Sequence, residues 1–117
     1  MKYFTEEAEY YMTRKVNDQV DKALIDIILT MIYDNNQKGF VSDYFKVFKF
    51  SNIVEEGKKY LLVTHTQECP ELKVEKKVLI NDDTSVFHLD CEFTLWVISD
   101  GICNNKEIIT FLFPDEY

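Results

Sequence analysis

Glycine, proline and histidine are scarce in this sequence, and their scarcity excludes several kinds of chemistry. Only three Gly occur, each at an expected turn, so the chain has no glycine-rich phosphate-binding loop. The two histidines, His65 and His88, are not accompanied by a second ligand pair at zinc spacing. No Ser has the context of a nucleophile elbow. We therefore expect no metal site, no cofactor and no catalytic constellation.

Cysteine and long apolar runs are also limited. The cysteines are odd in number and unevenly spaced, at Cys69, Cys91 and Cys103. This pattern favours reduced thiols in a cytoplasmic protein. The first residues, MKYFTEEAEYYM, are acidic and have no apolar core of a targeting peptide. The longest apolar run, residues 23–33, is interrupted by polar residues and is too short to span a bilayer.

Basic residues are outnumbered, with 13 Lys and Arg against 21 Asp and Glu, which gives a net charge of −8. This balance argues against direct binding to nucleic acid or to an anionic membrane surface. It permits association with a basic protein, steered by the acidic field. The alternative is that the charge serves solubility alone.

The clearest pattern is an alternation over residues 85–101. Apolar side chains occupy one parity: Phe87, Leu89, Cys91, Phe93, Leu95 and Val97. This period predicts a central strand with one buried face. The other parity begins polar and ends with Trp96 and Ile98, so we expect the second half of the strand to be covered on both faces.

The rest of the chain predicts further elements. Strands are expected over residues 9–16, 43–51, 59–67, 71–80 and 107–113, and one helix is expected over 18–34, capped by Asn17 or Asp18. Short polar turns join consecutive strands and favour antiparallel neighbours. The prediction is a single α+β domain over 1–117, with an antiparallel β-sheet of about five to six strands and one main α-helix packed on one face.

The expected helix has an unusually wide apolar surface. Its polar residues Lys22, Asp26 and Thr30 are four apart and leave only a narrow exposed face. Two explanations are open: the sheet and the termini cover the helix, or a second subunit does.

Acidic residues recur at the turns and on the polar half of the central strand. The candidate partner-binding residues are Glu55, Glu56, Asp82, Asp83, His88, Asp90 and Glu92. Carboxylates gathered on one face could imitate a row of phosphates and occupy a nucleic-acid channel in a basic protein. The group around His88 could instead bind a cation or transfer protons. The alternative to both is a scattered, solvated surface.

Five short segments resemble a known family. They are YMTRKVND (11–18), DYFKVFKF (43–50), HTQECPE (65–71), LWVISDG (95–101) and TFLFPDEY (110–117). Together they resemble the small Firmicutes family called domain of unknown function nine-sixty. The resemblance implies a protein of bacterial, phage or mobile-element genomes with no assigned enzyme activity. Some small acidic proteins of mobile elements block CRISPR nucleases, and this chain is similar to them in size and charge.

Three hypotheses follow. The first is an acidic inhibitor that occupies a basic nucleic-acid-binding surface, such as that of a type II CRISPR nuclease, and hinders the loading of guide RNA or DNA. The second is a homodimeric structural or regulatory module that pairs through the helix or an edge strand. The third is an enzyme built around His65 or His88.

Overall fold

A computed structural model describes residues 3–80, 92–103 and 105–117. In chain order its elements are β1 (Glu9–Met12), α1 (Arg14–Gln19), α2 (Lys22–Gln37), β2 (Phe45–Glu55), β3 (Lys58–Glu68), β4 (Glu71–Leu79), β5 (Phe93–Cys103) and β6 (Lys106–Leu112). A short 3₁₀ turn, Pro114–Glu116, follows β6. The fold is therefore α+β, as the sequence predicted. In the described part of the chain no helix is long and apolar enough to cross a membrane.

The six strands of residues 3–80, 92–103 and 105–117 form one sheet in the order β1-β6-β5-β2-β3-β4. Four of the five strand pairs are antiparallel, including the β2–β3 hairpin that the sequence predicted. The fifth pair, β1 with β6, is parallel, with Glu9 opposite Ile108. The prediction of a purely antiparallel sheet is therefore wrong at this edge. Short turns fix the direction of consecutive strands only, and nearly the whole chain separates β1 from β6.

The region between β1 and α2 differs most from its prediction. The strand expected over 9–16 ends at Met12, because Thr13 caps α1 by accepting a hydrogen bond from the Val16 amide at 3.2 Å. The backbone at Val20 then turns extended and interrupts the helical path. Asp21, rather than Asn17 or Asp18, caps the main helix and accepts from the Ala23 amide at 2.9 Å. The described part of the chain thus contains two α-helices, and one of them, α1, is short.

The face of the sheet on which α2 packs is called the helix face here. Side chains from α2 and from the inward parity of the strands form one core; examples are Ile28, Phe48, Val63 and Val97, all fully buried. The burial of α2 in this core confirms that the sheet covers much of its apolar surface. The homodimer stays a prediction.

The opposite face of the sheet is called the open face. Phe45 and Trp96 lie there, half-buried and 5.0 Å apart between ring centroids. The second half of the central strand was predicted to be covered on both faces of the sheet. Because Trp96 and Ile98 are only half-buried on the open face, this prediction holds only in part. The predicted residues 85–91 of the central strand lie outside the described residues.

The central strand β5 continues to Cys103, beyond residue 101, where the predicted strand ends. Its register with β6 shifts between Ser99 and Ile102, and Gly101 adopts φ +79° there. This irregularity is a β-bulge, which lets the strand resume pairing instead of ending.

Candidate protein-binding cleft

The buried carboxylate of Glu107 fixes the segment that precedes β1. It accepts hydrogen bonds from the amides of Phe4 at 2.6 Å and Thr5 at 2.7 Å, from the Thr5 hydroxyl at 2.8 Å and from the Ser99 hydroxyl at 2.5 Å. Phe4 adopts φ +59° in this arrangement. Residues 3–7, called the N-terminal segment here, are thereby tied to β5 and β6.

The hydrogen bonds also determine the ionisation of Glu107. Burial by itself would raise the pKa of its carboxyl. The donors from Ser99, Thr5 and Phe4 outweigh burial and hold the pKa below its ordinary value of 4.5. Glu107 is therefore a charged anchor at neutral pH, and its lone pairs are already engaged within the protein.

A second buried charge, Lys46, contacts the ring of Phe4, whose amide donates to Glu107. Its ammonium donates to Gln67 Oε1 at 2.9 Å and stands 4.8 Å from the ring centroid of Phe4. Gln67 in turn donates to the carbonyl of Val41 at 2.8 Å and to that of Pro70 at 3.0 Å. Burial lowers the pKa of Lys46 to about 8. This network joins the N-terminal segment to the loop that follows α2.

His65 is fully buried on the helix face. Its Nδ1 lies 3.2 Å from Asn35 Nδ2, and its ring stacks on Phe48 at 4.7 Å. Burial lowers the pKa of His65 to about 3. Its Nε2 has no hydrogen-bond partner among the described residues. This imidazole is neutral at pH 7 and out of reach of a substrate in solvent.

Metal ligands do not converge in the described ranges 3–80, 92–103 and 105–117, where no group of three or more His, Cys, Asp and Glu side chains could hold an ion. Cys69 is a free, exposed thiol.

A cleft of about 570 Å³ opens between the N-terminal segment and the loop of residues 39–42. Its lining includes Glu6, Glu7, Phe40 and Val41. Phe40 is 42% exposed and Val41 66% exposed, and both carboxylates are exposed. The cleft therefore presents apolar surface next to negative charge. The hydrogen bonds of Glu107 and the contacts of Lys46 fix the segments that line it.

A row of aromatic rings leads from this cleft across the open face. We call it the aromatic row, and its members are Tyr3, Tyr44, Phe45, Trp96 and Tyr117. Successive ring centroids are separated by 6.0, 6.3, 5.0 and 5.6 Å. Tyr44 is 50% exposed and Tyr117 85% exposed. Aromatic side chains that are exposed in this way are enriched at protein interfaces.

The acidic residues that the sequence singled out do not line the cleft where they are described. Glu55 and Glu56 lie at the tip of the β2–β3 hairpin, and Glu92 precedes β5 at the same end of the sheet. Glu55 pairs with Lys77 at 2.7 Å, so part of the charge at this end is balanced. The other predicted residues, Asp82, Asp83, His88 and Asp90, lie outside the described residues.

The cleft was not predicted from the sequence, although the positions of Lys46 and Glu107 in the sequence indicated buried charges near it. Lys46 shares its parity with the buried Phe48 and Phe50, and Glu107 shares its parity with Ile109. A charge on the apolar parity of a strand needs a buried partner. Such a charge could therefore have indicated that a further segment packs there.

Comparisons with known proteins place the fold but not the function. No protein-family model and no curated protein matches the chain. Among solved structures, it is similar to the crystal structure of a protein of unknown function from Enterococcus faecalis. The TM-score is 0.63 at 21% sequence identity, over 100% of this chain and 97% of the other. This likeness shows a shared α+β fold. The resemblance to domain of unknown function nine-sixty stays a prediction.

Proposed function

We propose that this protein is a non-catalytic binding protein whose cleft and aromatic row take a basic segment of a partner protein. The observation that carries this proposal is the cleft, where Glu6 and Glu7 stand beside the exposed Phe40 and Val41. An Arg or Lys side chain can make two kinds of contact with such a surface. Its charge can pair with the carboxylates, and its aliphatic stem or guanidinium plane can pack on apolar and aromatic groups.

The net charge supports a partner that itself binds nucleic acid. With a charge of −8, this protein attracts basic surfaces over a distance of about a Debye length, roughly 10 Å at moderate salt. The strongest basic surfaces belong to proteins that hold phosphate backbones. Occupying such a surface would hinder the loading of RNA or DNA. The size and charge of the chain make a type II CRISPR nuclease the first partner to test.

Two surfaces compete for this role, and they lie at opposite ends of β2. One is the cleft beside the start of β2. The other is the hairpin end, where Glu55 and Glu56 lie and where the sequence predicted docking. The cleft is favoured because its carboxylates form no ion pair among the described residues, whereas Glu55 already pairs with Lys77. The cleft also adjoins the aromatic row.

A matched pair of variants separates the two surfaces. Glu6→Lys with Glu7→Lys changes the cleft, and Glu55→Lys with Glu56→Lys changes the hairpin end by the same total charge. Affinity for a guide-free type II CRISPR nuclease is measured by calorimetry at low salt, with guide RNA added as a competitor. We expect the cleft variant to bind roughly tenfold more weakly, the hairpin variant to change less, and guide RNA to displace the protein.

Each contrary result overturns a particular part of the proposal. No binding to the guide-free nuclease at low salt removes that partner. Equal losses in the two variants assign the attraction to overall charge and overturn the cleft as the docking surface. A loss confined to the hairpin variant moves the site to the end that the sequence predicted.

A further inference from the structure

The strand β4 forms a long edge of the sheet. It pairs with β3 along its whole length, and no described residue pairs with its other side. The opposite edge, β1, has only four residues, whereas β4 has nine. An edge strand of this length presents a row of free backbone donors and acceptors that can pair with another strand.

Charges of alternating sign follow this edge on the open face. They are all exposed, at Glu71, Lys73, Glu75 and Lys77. Their cross-strand partners on β3 are, in the same order, Glu68, Thr66, Thr64 and Leu62. The neighbouring strand therefore places no opposite charge directly across from them, and Glu71 faces a like charge, which is unfavourable. Lys77 reaches Glu55 at 2.7 Å, an exposed pair that contributes little and can be shared.

The same charges are complementary to themselves. In an antiparallel pair of β4 strands centred on Val74, Glu71 of one copy lies opposite Lys77 of the other. Lys73 likewise lies opposite Glu75. Because the pairing is two-fold symmetric, each of these attractions occurs twice. Glu71, which meets Glu68 within its own chain, would gain an opposite charge on its free side.

We propose that β4 is a dimerisation edge and that its partner is a second copy of this chain, paired antiparallel about Val74 into one continuous sheet. This inference is independent of the cleft and of the proposed function.

The charge pattern also specifies the register of the pair. Moving the centre to Lys73 places Glu71 opposite Glu75 and Lys73 opposite itself. Moving it to Glu75 places Lys73 opposite Lys77 and Glu75 opposite itself. Both shifts replace attraction by repulsion, whereas the register centred on Val74 has no like-charged pair.

The apolar side chains of β4 favour the same pairing. Leu72, Val74 and Val78 are half-buried at the margin of the core, and Leu79 is 43% exposed. A second strand would cover part of this surface, with Val74 against its own copy and Leu72 against the stem of Lys76. One pair of strands buries a small interface, so we expect a reversible, concentration-dependent dimer.

Two single substitutions test the pairing. Lys73→Glu and Glu75→Lys each turn two attractive pairs into two repulsive ones, so each variant alone should dissociate roughly tenfold more readily than the natural chain in sedimentation equilibrium. An equimolar mixture of the two variants restores opposite charges at both positions and should form a heterodimer. Lys22→Glu, at an exposed helix position, is the control for net charge. Circular dichroism checks that every variant is folded.

Cross-linking tests the register. In a background in which Cys69, Cys91 and Cys103 are each replaced by Ser, Val74→Cys places two thiols directly opposite each other and should give a disulfide-linked dimer under mild oxidation. Glu75→Cys is the matched control and should link poorly, because residue 75 faces residue 73.

Three results would overturn the proposal. The first is a natural chain that stays monomeric at several hundred micromolar. The second is a dimer that both charge variants leave unchanged, which would place the contact elsewhere. The third is equal cross-linking through positions 74 and 75, which would remove the register.

Discussion

His65 couples the stability of this protein to pH. The folded chain holds the pKa of His65 at about 3, against an ordinary value of 6.5. Between these values the unfolded chain binds a proton here that the folded chain does not, so the free energy of unfolding falls as the pH falls through this window. We expect the natural chain to lose on the order of 3 kcal/mol more than a His65→Phe variant between about pH 7 and about pH 4, measured by urea unfolding.

Two features of the His65 experiment make it specific. Phe keeps the stacking on Phe48 but leaves the Asn35 amide without its acceptor, so the variant should be less stable at neutral pH, by about 1–3 kcal/mol. Asn35→Leu is the control, because it disturbs the same bond and keeps the titrating ring. Equal pH dependence in His65→Phe and the natural chain would show that His65 does not cause the effect.

Lys46 makes the free energy of unfolding depend on pH in the alkaline range. Its pKa is lowered from 10.5 to about 8 by burial, so between these values the folded chain has lost a proton that the unfolded chain keeps. Stability therefore rises with pH through this window. We expect Lys46→Met to be within about 1 kcal/mol of the natural chain at pH 7, because losing the bond to Gln67 is offset by removing a buried charge. The variant should lack the alkaline rise in urea unfolding. A rise of equal size in both proteins would contradict this assignment.

At the level of elements, the bond network of Glu107 decides whether the N-terminal segment is ordered. Glu107→Gln replaces one of the two accepting oxygens by an NH₂ group, which is a donor, so one of the Phe4 and Thr5 amides loses its acceptor. The substitution also removes the negative charge that these amides stabilise. We expect a loss of about 3 kcal/mol in the free energy of unfolding and faster hydrogen exchange at both amides. Ser99→Ala removes one donor and should cost about 1 kcal/mol. Protected Phe4 and Thr5 amides in Glu107→Gln would show that another contact holds the segment.

The strands could be predicted because their signal is local. Apolar side chains at every second position, in Glu71–Leu79 and over residues 93–97, indicate strands without knowledge of their neighbours, and short turns predict the hairpins. The break at Val20 could not be found in this way. Residues 14–34 contain neither Gly nor Pro, and the break depends on two competing caps, Thr13 and Asp21. Both lie within a stretch that otherwise favours helix.

The cleft was beyond a local analysis for a different reason. Its walls come from residues 3–7 and 39–42, and its anchor, Glu107, is more than a hundred positions away from the segment that it binds. The sequence shows only that Glu107 is a charged residue on the side of its strand that also carries the buried Ile109. The acidic residues that drew attention instead, such as Glu55 and Glu56, are prominent because they are adjacent in sequence, which says nothing about whether lysines neutralise them.

For the whole molecule, the excess of negative charge has two opposite consequences. The carboxylates repel one another and oppose the compact state, and the same field would attract the basic partner that we propose. The ion pairs of the described residues, such as Lys15 with Asp115 and Lys106 with Glu9, are exposed and contribute little against this repulsion. Salt screens both effects, so it should stabilise the free protein and weaken the proposed complex.

Because salt should raise the stability of the free protein and lower its affinity for the proposed partner, the salt dependence of both quantities tests the role of the net charge. Raising NaCl from about 0.05 M to about 0.5 M shortens the Debye length to well below 10 Å. We expect the midpoint of thermal unfolding to rise by about 2–5 °C. Over the same range the dissociation constant for the guide-free nuclease should rise by roughly tenfold or more. Glu6→Lys with Glu7→Lys reduces the charge and should give a smaller response in both measurements. A midpoint that falls with salt would mean that the surface ion pairs outweigh the net repulsion.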